Sequence, residues 1–320
     1  GGVGAIHEDE KFGPDYFLPT DAYLETCAAV GAGFFSQRMN QLTCNARYMD
    51  EVERVLYNNV LTGVSLSGDK YTYQNPLNTD KPDRWEWHVC PCCPPMFLKI
   101  MAAMPGYIYA YQGDNVYVNL FIGSEVRIPV GDNSVRLKQL TSYPWHGAVS
   151  IQVNPDKAST FSMKVRIPGW AQGTENPYDL YQSNLKAPVK LKVNQEDVLL
   201  RIVDGYAEIN REWKKGDHIE LELPMQPRLI TANKAVENLR GQVALASGPI
   251  IYCFEDADNP ELQTFKLQAQ TPLELSHDSN LLNGVNIIKC QGDIPAKAIP
   301  YYAVANREES HSYKVWIPQK

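Results

Sequence analysis

Apolar residues keep two different rhythms along this chain. From Ala22 through Val30, and on to Phe34, Phe35 and Met39, they return every three or four positions. That spacing predicts an amphipathic helix with Asp21 as its N-cap. Asn45 or Ala46 starts a second helical run through Met49, Val52, Val55, Leu56 and Val60, stopped by Gly63, so residues 22–65 read as mostly helical. A stretch rich in Gly, Asn, Asp and Pro from 68 to about 89 predicts a loop. Pro94-Pro95 then suits the first turn of a third helix, through Met96, Phe97, Leu98, Ile100 and Met101, which Pro105-Gly106 ends.

Beyond that point the period shortens to two. Residues 107–111 and 116–120 flank a Gly-Asp-Asn turn, and similar β-rich runs follow at 126–130, 148–153, 162–167, 189–193, 206–209, 218–223, 242–246 and 250–254. Short strands at close intervals predict antiparallel sandwiches or jelly rolls rather than parallel α/β layers. Three helices at the front cannot bury their own faces on all sides. They are expected to belong to a larger helical domain whose beginning lies outside this chain, the remainder being a separate chain or a missing piece.

Composition narrows the class. A length of 320 residues suits two or three domains, and 44% apolar with 21% charged residues is ordinary for a globular protein. A formal charge of -7 argues against a generally basic nucleic-acid-binding surface. No run approaches the roughly 18 uninterrupted apolar residues of a membrane span. The opening Gly1-Gly2-Val3-Gly4 has neither Met nor a charged-then-apolar leader and reads like the interior of a longer protein. The compartment stays open, with bacterial cytoplasm and periplasm both compatible.

Seven cysteines stand at 27, 44, 90, 92, 93, 253 and 290, an odd number without the spacing of a disulfide framework. Cys90, Cys92 and Cys93 crowd together, and Glu25-Thr26-Cys27 supplies a carboxylate and a thiol near a helix start. A zinc ion takes about four such ligands in a tetrahedron. The residues alone leave zinc, buried free thiols and a Cys90–Cys92 disulfide open. His88 is a possible neighbouring donor, and the other histidines are scattered without ligand spacing. There is no phosphate-cradling glycine loop, Gly-x-Ser-x-Gly elbow or His-Glu-x-x-His motif.

A string of motifs then carries a resemblance. In order they are Gly1-Gly2-Val3-Gly4, Glu10-Lys11-Phe12, Leu18-Pro19, Tyr23-Leu24-Glu25-Thr26-Cys27-Ala28, Glu53-Arg54-Val55-Leu56-Tyr57-Asn58, Tyr73-Gln74-Asn75-Pro76-Leu77 and Cys90-Pro91-Cys92-Cys93-Pro94-Pro95. The β half adds Val165-Arg166-Ile167-Pro168-Gly169-Trp170, Trp213-Lys214-Lys215-Gly216-Asp217, Gly248-Pro249-Ile250-Ile251-Tyr252 and Val315-Trp316-Ile317-Pro318. Over nearly its whole length the chain resembles the β-L-arabinofuranosidases of glycoside hydrolase family 127 and its near relative, family 146. The resemblance implies the C-terminal portion of an (α/α)6 catalytic barrel over 1–108, a β-sandwich or jelly-roll domain over 109–226 to which 308–320 return, and a second such domain over 227–307. It implies zinc on Glu25, Cys27, Cys92 and Cys93, with Cys92 as nucleophile and Glu10 as general acid/base, next to Glu8 and Asp9 in an acidic run.

Other positions carry two readings each. Glu53 matches an acidic pocket position that hydrogen-bonds a sugar hydroxyl, against a surface salt bridge to Arg54 or Arg47. Tyr73 matches a tyrosine near the nucleophile, against a packed loop aromatic. Cys90 reads as a spare thiol, and Trp85 and Trp87 as sugar-stacking rings or a loop's own small core. Trp170, Trp213 and Tyr252 read as β-domain core, and Cys44, Cys253 and Cys290 as buried small hydrophobes. The implied activity is retaining hydrolysis of a terminal β-L-arabinofuranosyl or similar rare unit of a plant glycan, with a thiolate replacing one of the usual two carboxylates. The alternatives are an unusual acidic deoxysugar of pectin, which calls for a pocket cation such as Arg47, Arg54 or Arg84, and a non-catalytic zinc-stabilised carbohydrate-binding protein.

Overall fold

The helical segment begins later than its apolar rhythm suggests. In the computed structural model, which describes residues 2, 4, 11–87, 89–176, 179–292 and 294–320, Leu24 takes a left-handed φ of 41°. Glu25 is extended, at φ -63° and ψ 140°, so helix α1 runs Thr26–Thr43 with Glu25 at the N-cap position. Asp21 therefore lies outside the helix. Helix α2, Arg47–Arg54, widens into a π-helical stretch, Val55–Val60, and helix α3 is Cys93–Ala103 with prolines in its first turn. Ala29, Val30, Met49, Val52, Val55, Leu56, Val60 and Ile100 form their common core. Burying each Val, Leu or Ile contributes about 1.5–3 kcal/mol. A second apolar face stays uncovered: Phe35 and Leu42 on α1 and Leu98 on α3 are 64%, 80% and 66% exposed.

The middle of the chain folds as a two-sheet sandwich. One sheet orders Glu196–Asp197, Lys190–Val193, Asp217–Glu222, Ala148–Pro155, Asn133–Thr141 and Ser124–Val130. The other orders Ile202–Val203, Tyr206–Trp213, Ser159–Arg166, Asn115–Val118 and Tyr109–Gln112, and its Asn115–Val118 and Ser159–Arg166 strands run parallel. Alternation explains the layers: Val135 and Leu137 point inward from one sheet, Phe161, Met163 and Val165 from the other, and all meet in one core with Trp170 and Trp213.

Downstream the pairing differs from two facing sheets. The described strands link into one ten-stranded antiparallel sheet with the central order Leu273–Asp278, Val285–Cys290, Ala296–Pro300, Ile250–Glu255, Gln242–Ser247, Arg228–Ala232 and Tyr181–Ser183. Its residues alternate between two apolar clusters, Ala244, Ala246 and Cys253 in one and Val243, Leu245, Tyr252 and Phe254 in the other. Both faces of Gln242–Ser247 and Ile250–Glu255 are thus buried.

The chain's end corrects one expectation. Residues 308–320 do not return to the middle sandwich: Tyr313–Lys314 pairs with Ile250–Glu255 and Ile317–Pro318 with Gln242–Ser247. The same last strands reach the helical segment, where Asn78–Thr79 pairs antiparallel with Tyr313–Lys314. The π-helical turn makes a second junction. Its Asn58 donates to Pro249 O at 3.0 Å and accepts from Ile251 N at 2.8 Å. Among the described residues no helix is long and apolar enough to cross a membrane.

Candidate metal centre

Four donors from two distant segments converge. Glu25 sits in extended backbone immediately before α1 and Cys27 is its second residue, so the turn between them lets both side chains face one point. Cys92 occupies the N-cap of α3 and Cys93 its first position. One oxygen of Glu25 and the sulfurs of Cys27, Cys92 and Cys93 all lie within 4.8 Å of one another. Thr26, fully buried between the first two donors, fixes that turn: its Oγ1 donates to Thr72 O at 2.8 Å and its backbone N–H to Tyr73 O at 3.0 Å. Glycine allows the close packing here, since a Cβ on Gly63 would stand 2.6 Å from Thr26 Cγ2 and one on Gly4 2.7 Å from Leu24 N.

Four of the six edges of this cluster lie within about 0.4 Å of the lengths a tetrahedral zinc ion requires. Sulfurs about 2.3 Å and an oxygen about 2.0 Å from a zinc ion imply S···S edges of about 3.8 Å and S···O edges of about 3.5 Å. Cys27–Cys93 and Cys92–Cys93 measure 3.4 and 3.9 Å. Cys92 and Cys93 lie 3.5 and 3.9 Å from Glu25 Oε1. All seven cysteines are free thiols, so no Cys90–Cys92 bridge competes. Burial pushes the Cys27 thiol well above its usual range, and hydrogen bonds to Cys92 and Cys93 act the same way. Burial likewise pushes Cys93 up to about 12. A divalent cation reverses that balance, because it stabilises the deprotonated form outright. The donor set is a Glu/Cys3 cluster compatible with zinc.

Aromatic rings wall the cluster. Tyr73 packs with Tyr71, Tyr23, Cys27, Cys92 and Cys93, and burial holds its hydroxyl well above the usual phenol range, so it keeps its proton. Its ring meets Tyr23 edge-on at 5.9 Å and stacks on Trp85 at 6.0 Å. Trp85 thus serves the loop's own packing, whereas Trp87 is exposed.

Residues 1–106 match the family model described as the GH127 catalytic domain of β-L-arabinofuranosidase, 115–225 the GH127 middle domain, and 227–318 the glycoside hydrolase family 127 C-terminal domain. The chain belongs to glycoside hydrolase family 127. It is 31% identical over 359 aligned residues to the non-reducing end β-L-arabinofuranosidase of Bifidobacterium longum subsp. longum, which covers 96% of this chain and 51% of that protein. A solved GH127 β-arabinofuranosidase superposes with a TM-score of 0.93 at 36% identity, covering 100% of this chain and 53% of that one. A GH127 β-L-arabinofuranosidase from Geobacillus stearothermophilus T6 gives 0.92 at 35% identity, covering 100% and 54%. This family 127 chain therefore spans about half the length of the relatives it matches, and they lend no support to a partner supplied as a separate chain.

Of the expected site residues in this family 127 chain, the structure brings Glu25, Cys27, Cys92, Cys93 and Tyr73 together. Glu10 and His88 lie outside the described residues. Glu53 is a correction. It is 1% exposed, and its carboxylate accepts from Arg166, from Tyr143 Oη at 2.8 Å and from Trp170 Nε1 at 3.3 Å, at the seam with the middle sandwich. Its cation is thus Arg166, not Arg54 or Arg47. Arg84 is also committed, donating to Val304 O at 2.9 Å, Thr62 O at 2.9 Å and Thr72 Oγ1 at 3.1 Å. Sequence reasoning missed Tyr71, 5% exposed and packed in the same cluster, with its hydroxyl buried and unpartnered among the described residues. The signal was the i,i+2 spacing of Tyr71 and Tyr73 in extended chain, which puts both on one side.

Proposed function

We propose that the full gene product is a retaining exo-glycosidase that releases a terminal β-L-arabinofuranose, or a closely related rare sugar, from plant-derived glycans. The observation that carries this reading is the Glu25/Cys27/Cys92/Cys93 cluster, with Tyr73 packed against its thiols. The relatives at 31% and 35% identity are β-L-arabinofuranosidases, and they suggest the sugar. The helical segment is read as the closing part of an (α/α)6 barrel, which the uncovered apolar face of α1 and α3 supports: further helices would bury Phe35, Leu42 and Leu98.

Glu25, Cys27, Cys92 and Cys93 would hold zinc. When bound, it supplies the charge that keeps cysteine sulfur ionised at neutral pH. Cys92 Sγ attacks the anomeric carbon as the bond to the leaving oxygen breaks, and Glu10 gives its proton to that oxygen. In the second step Glu10 takes a proton from water, the water oxygen bonds the anomeric carbon, and the carbon–sulfur bond breaks to return the thiolate. Tyr73, packed against Cys92 and keeping its proton, orients the sulfur and stabilises it as it leaves.

The test is hydrolysis of nitrophenyl β-L-arabinofuranoside by the full gene product, with elemental analysis of the same sample. Cys92→Ser should lower turnover by about 1000-fold or more. Glu10→Gln should slow poor leaving groups far more than nitrophenol. A wild-type sample without a sulfur-bound ion, or an active Cys92→Ser variant, sinks the mechanism. Zinc with no turnover of any pentoside would leave the non-catalytic reading.

A further inference from the structure

The loop that carries Tyr73 is stitched to the C-terminal β domain at several points. Tyr301 Oη donates to Asn75 O at 2.8 Å and Pro76 O at 3.0 Å, and Tyr313 Oη donates to Pro76 O at 2.8 Å. Val315 N–H donates to Leu77 O at 2.9 Å. Asn78 closes a reciprocal pair, its Nδ2 donating to Trp316 O and its Oδ1 accepting from Trp316 N. On the other limb of the loop, Arg84 grips Val304 O. Tyr71 and Tyr73 come just before the first anchors and Trp85 directly after Arg84.

The chain of contacts continues to the donors themselves. Asn75, whose carbonyl receives Tyr301, is fully buried, and its Nδ2 donates to Leu24 O at 3.0 Å and Thr26 Oγ1 at 2.9 Å, the residues either side of Glu25. Its neighbour two residues back is Tyr73. Tyr301 and Tyr313 stand edge to face at 6.1 Å, both buried, so each hydroxyl is held to its carbonyl by packing.

We propose that the C-terminal β domain is a working part of the site: Tyr301 and Tyr313 are positioning residues that fix the Asn75–Pro76 backbone and so hold Tyr73 against the thiol cluster, where it packs with Cys92 and Cys93. The role in turnover rests on the proposed glycosidase reading; the mechanical part does not. A buried carbonyl that loses its donor seeks another partner, and the loop shifts to find it. Because Tyr73 acts on a sulfur that is first nucleophile and then leaving group, a small displacement falls on kcat more than on KM.

The test is the double variant Tyr301→Phe/Tyr313→Phe, which keeps both rings, and each single variant should the double one fold poorly. Hydrogen exchange should speed up at the Thr72, Asn75 and Leu77 amides while that of α1 and the middle sandwich is unchanged. On the sugar the wild type hydrolyses, kcat should fall about ten-fold with KM within about two-fold, at unchanged metal content. In a Tyr73→Phe background the same double substitution should cost almost nothing further. Unchanged exchange in 71–79 overturns the clamp whatever the substrate. An equal ten-fold loss without the Tyr73 hydroxyl overturns the route through it. Faster local exchange in a protein that hydrolyses no arabinofuranoside would leave the clamp standing and remove only the proposed substrate.

Discussion

Two buried polar clusters join the helical segment to distant chain, and they are built in opposite ways. At the seam with the middle sandwich, Arg166, fully buried, donates to both Asp50 and Glu53. Tyr143, Trp170 and the Gly169 N–H supply the remaining donors to those carboxylates. Acceptors there meet donors. The other cluster gathers three thiols and a carboxylate, all lone-pair donors, against one another. A buried polar group is costly unless paired, so the first arrangement draws its donors from the protein, whereas the second is compatible with a metal ion. Both contain acidic side chains from helical-segment positions flagged by sequence motifs. Only the second offers a donor set compatible with a metal.

The largest effect should come from breaking the complete cluster. Arg166→Met leaves two carboxylates buried without their cation, and removing one partner of such a pair costs about 3–5 kcal/mol. Urea denaturation measures it, and added zinc should not restore the loss. Chelation of metal from the thiol cluster should also lower stability, but zinc should reverse it. A loss under about 1 kcal/mol for Arg166→Met would remove the contrast. A smaller effect separates the two roles of Glu53. Glu53→Gln keeps the shape and weakens the charged contacts to Arg166, so stability should fall by about 1–3 kcal/mol with kcat and KM within about two-fold. A raised KM at unchanged stability would return Glu53 to the sugar.

The thiol cluster was legible in the sequence because soft ligands at short spacing, Cys92-Cys93 and Glu25-x-Cys27, have few other uses in one chain. Glu53 was misread because its neighbours in sequence, Arg47 and Arg54, are cations too, while its true partner lies 113 residues away. The Val165–Trp170 motif carried that answer: Arg166, Gly169 and Trp170 are the groups that hold Asp50 and Glu53. The start of α1 was misplaced because an apolar rhythm does not register the left-handed turn at Leu24, yet that turn is what aims Glu25. Trp213, Tyr252, Cys253 and Cys290 are buried as their apolar character suggested, whereas Cys44 is only half-buried and bonds Gln112. Sequence reasoning did not single out Tyr301 or Tyr313, because nothing local marks a hydroxyl whose partner is a loop carbonyl some 225 residues earlier.

The smallest expected effect sharpens the comparison most. Two carboxylates on one guanidinium leave the seam cluster one negative charge in excess, and that excess can be met by a proton. Burial pushes Asp50 up to about 6, against the pull of Arg166 and with the repulsion of Glu53. The folded state then binds this proton more tightly than the unfolded chain. The contribution is fully present below the ordinary carboxylate value of 3.8 and is lost as pH rises through about 6. Because the Asp50 side chain keeps 17% of its surface exposed, the swing should be modest, about 1–2 kcal/mol between pH 4 and pH 7. Asp50→Asn has no proton to exchange, so the stability of wild type relative to this variant should decline over that interval, as paired urea titrations would read. A difference that stays level, or climbs with pH, would mean Arg166 keeps Asp50 ionised throughout. With the expected slope, the surplus negative charge at the seam is relieved by a proton, whereas the thiol cluster offers a donor set compatible with a divalent ion.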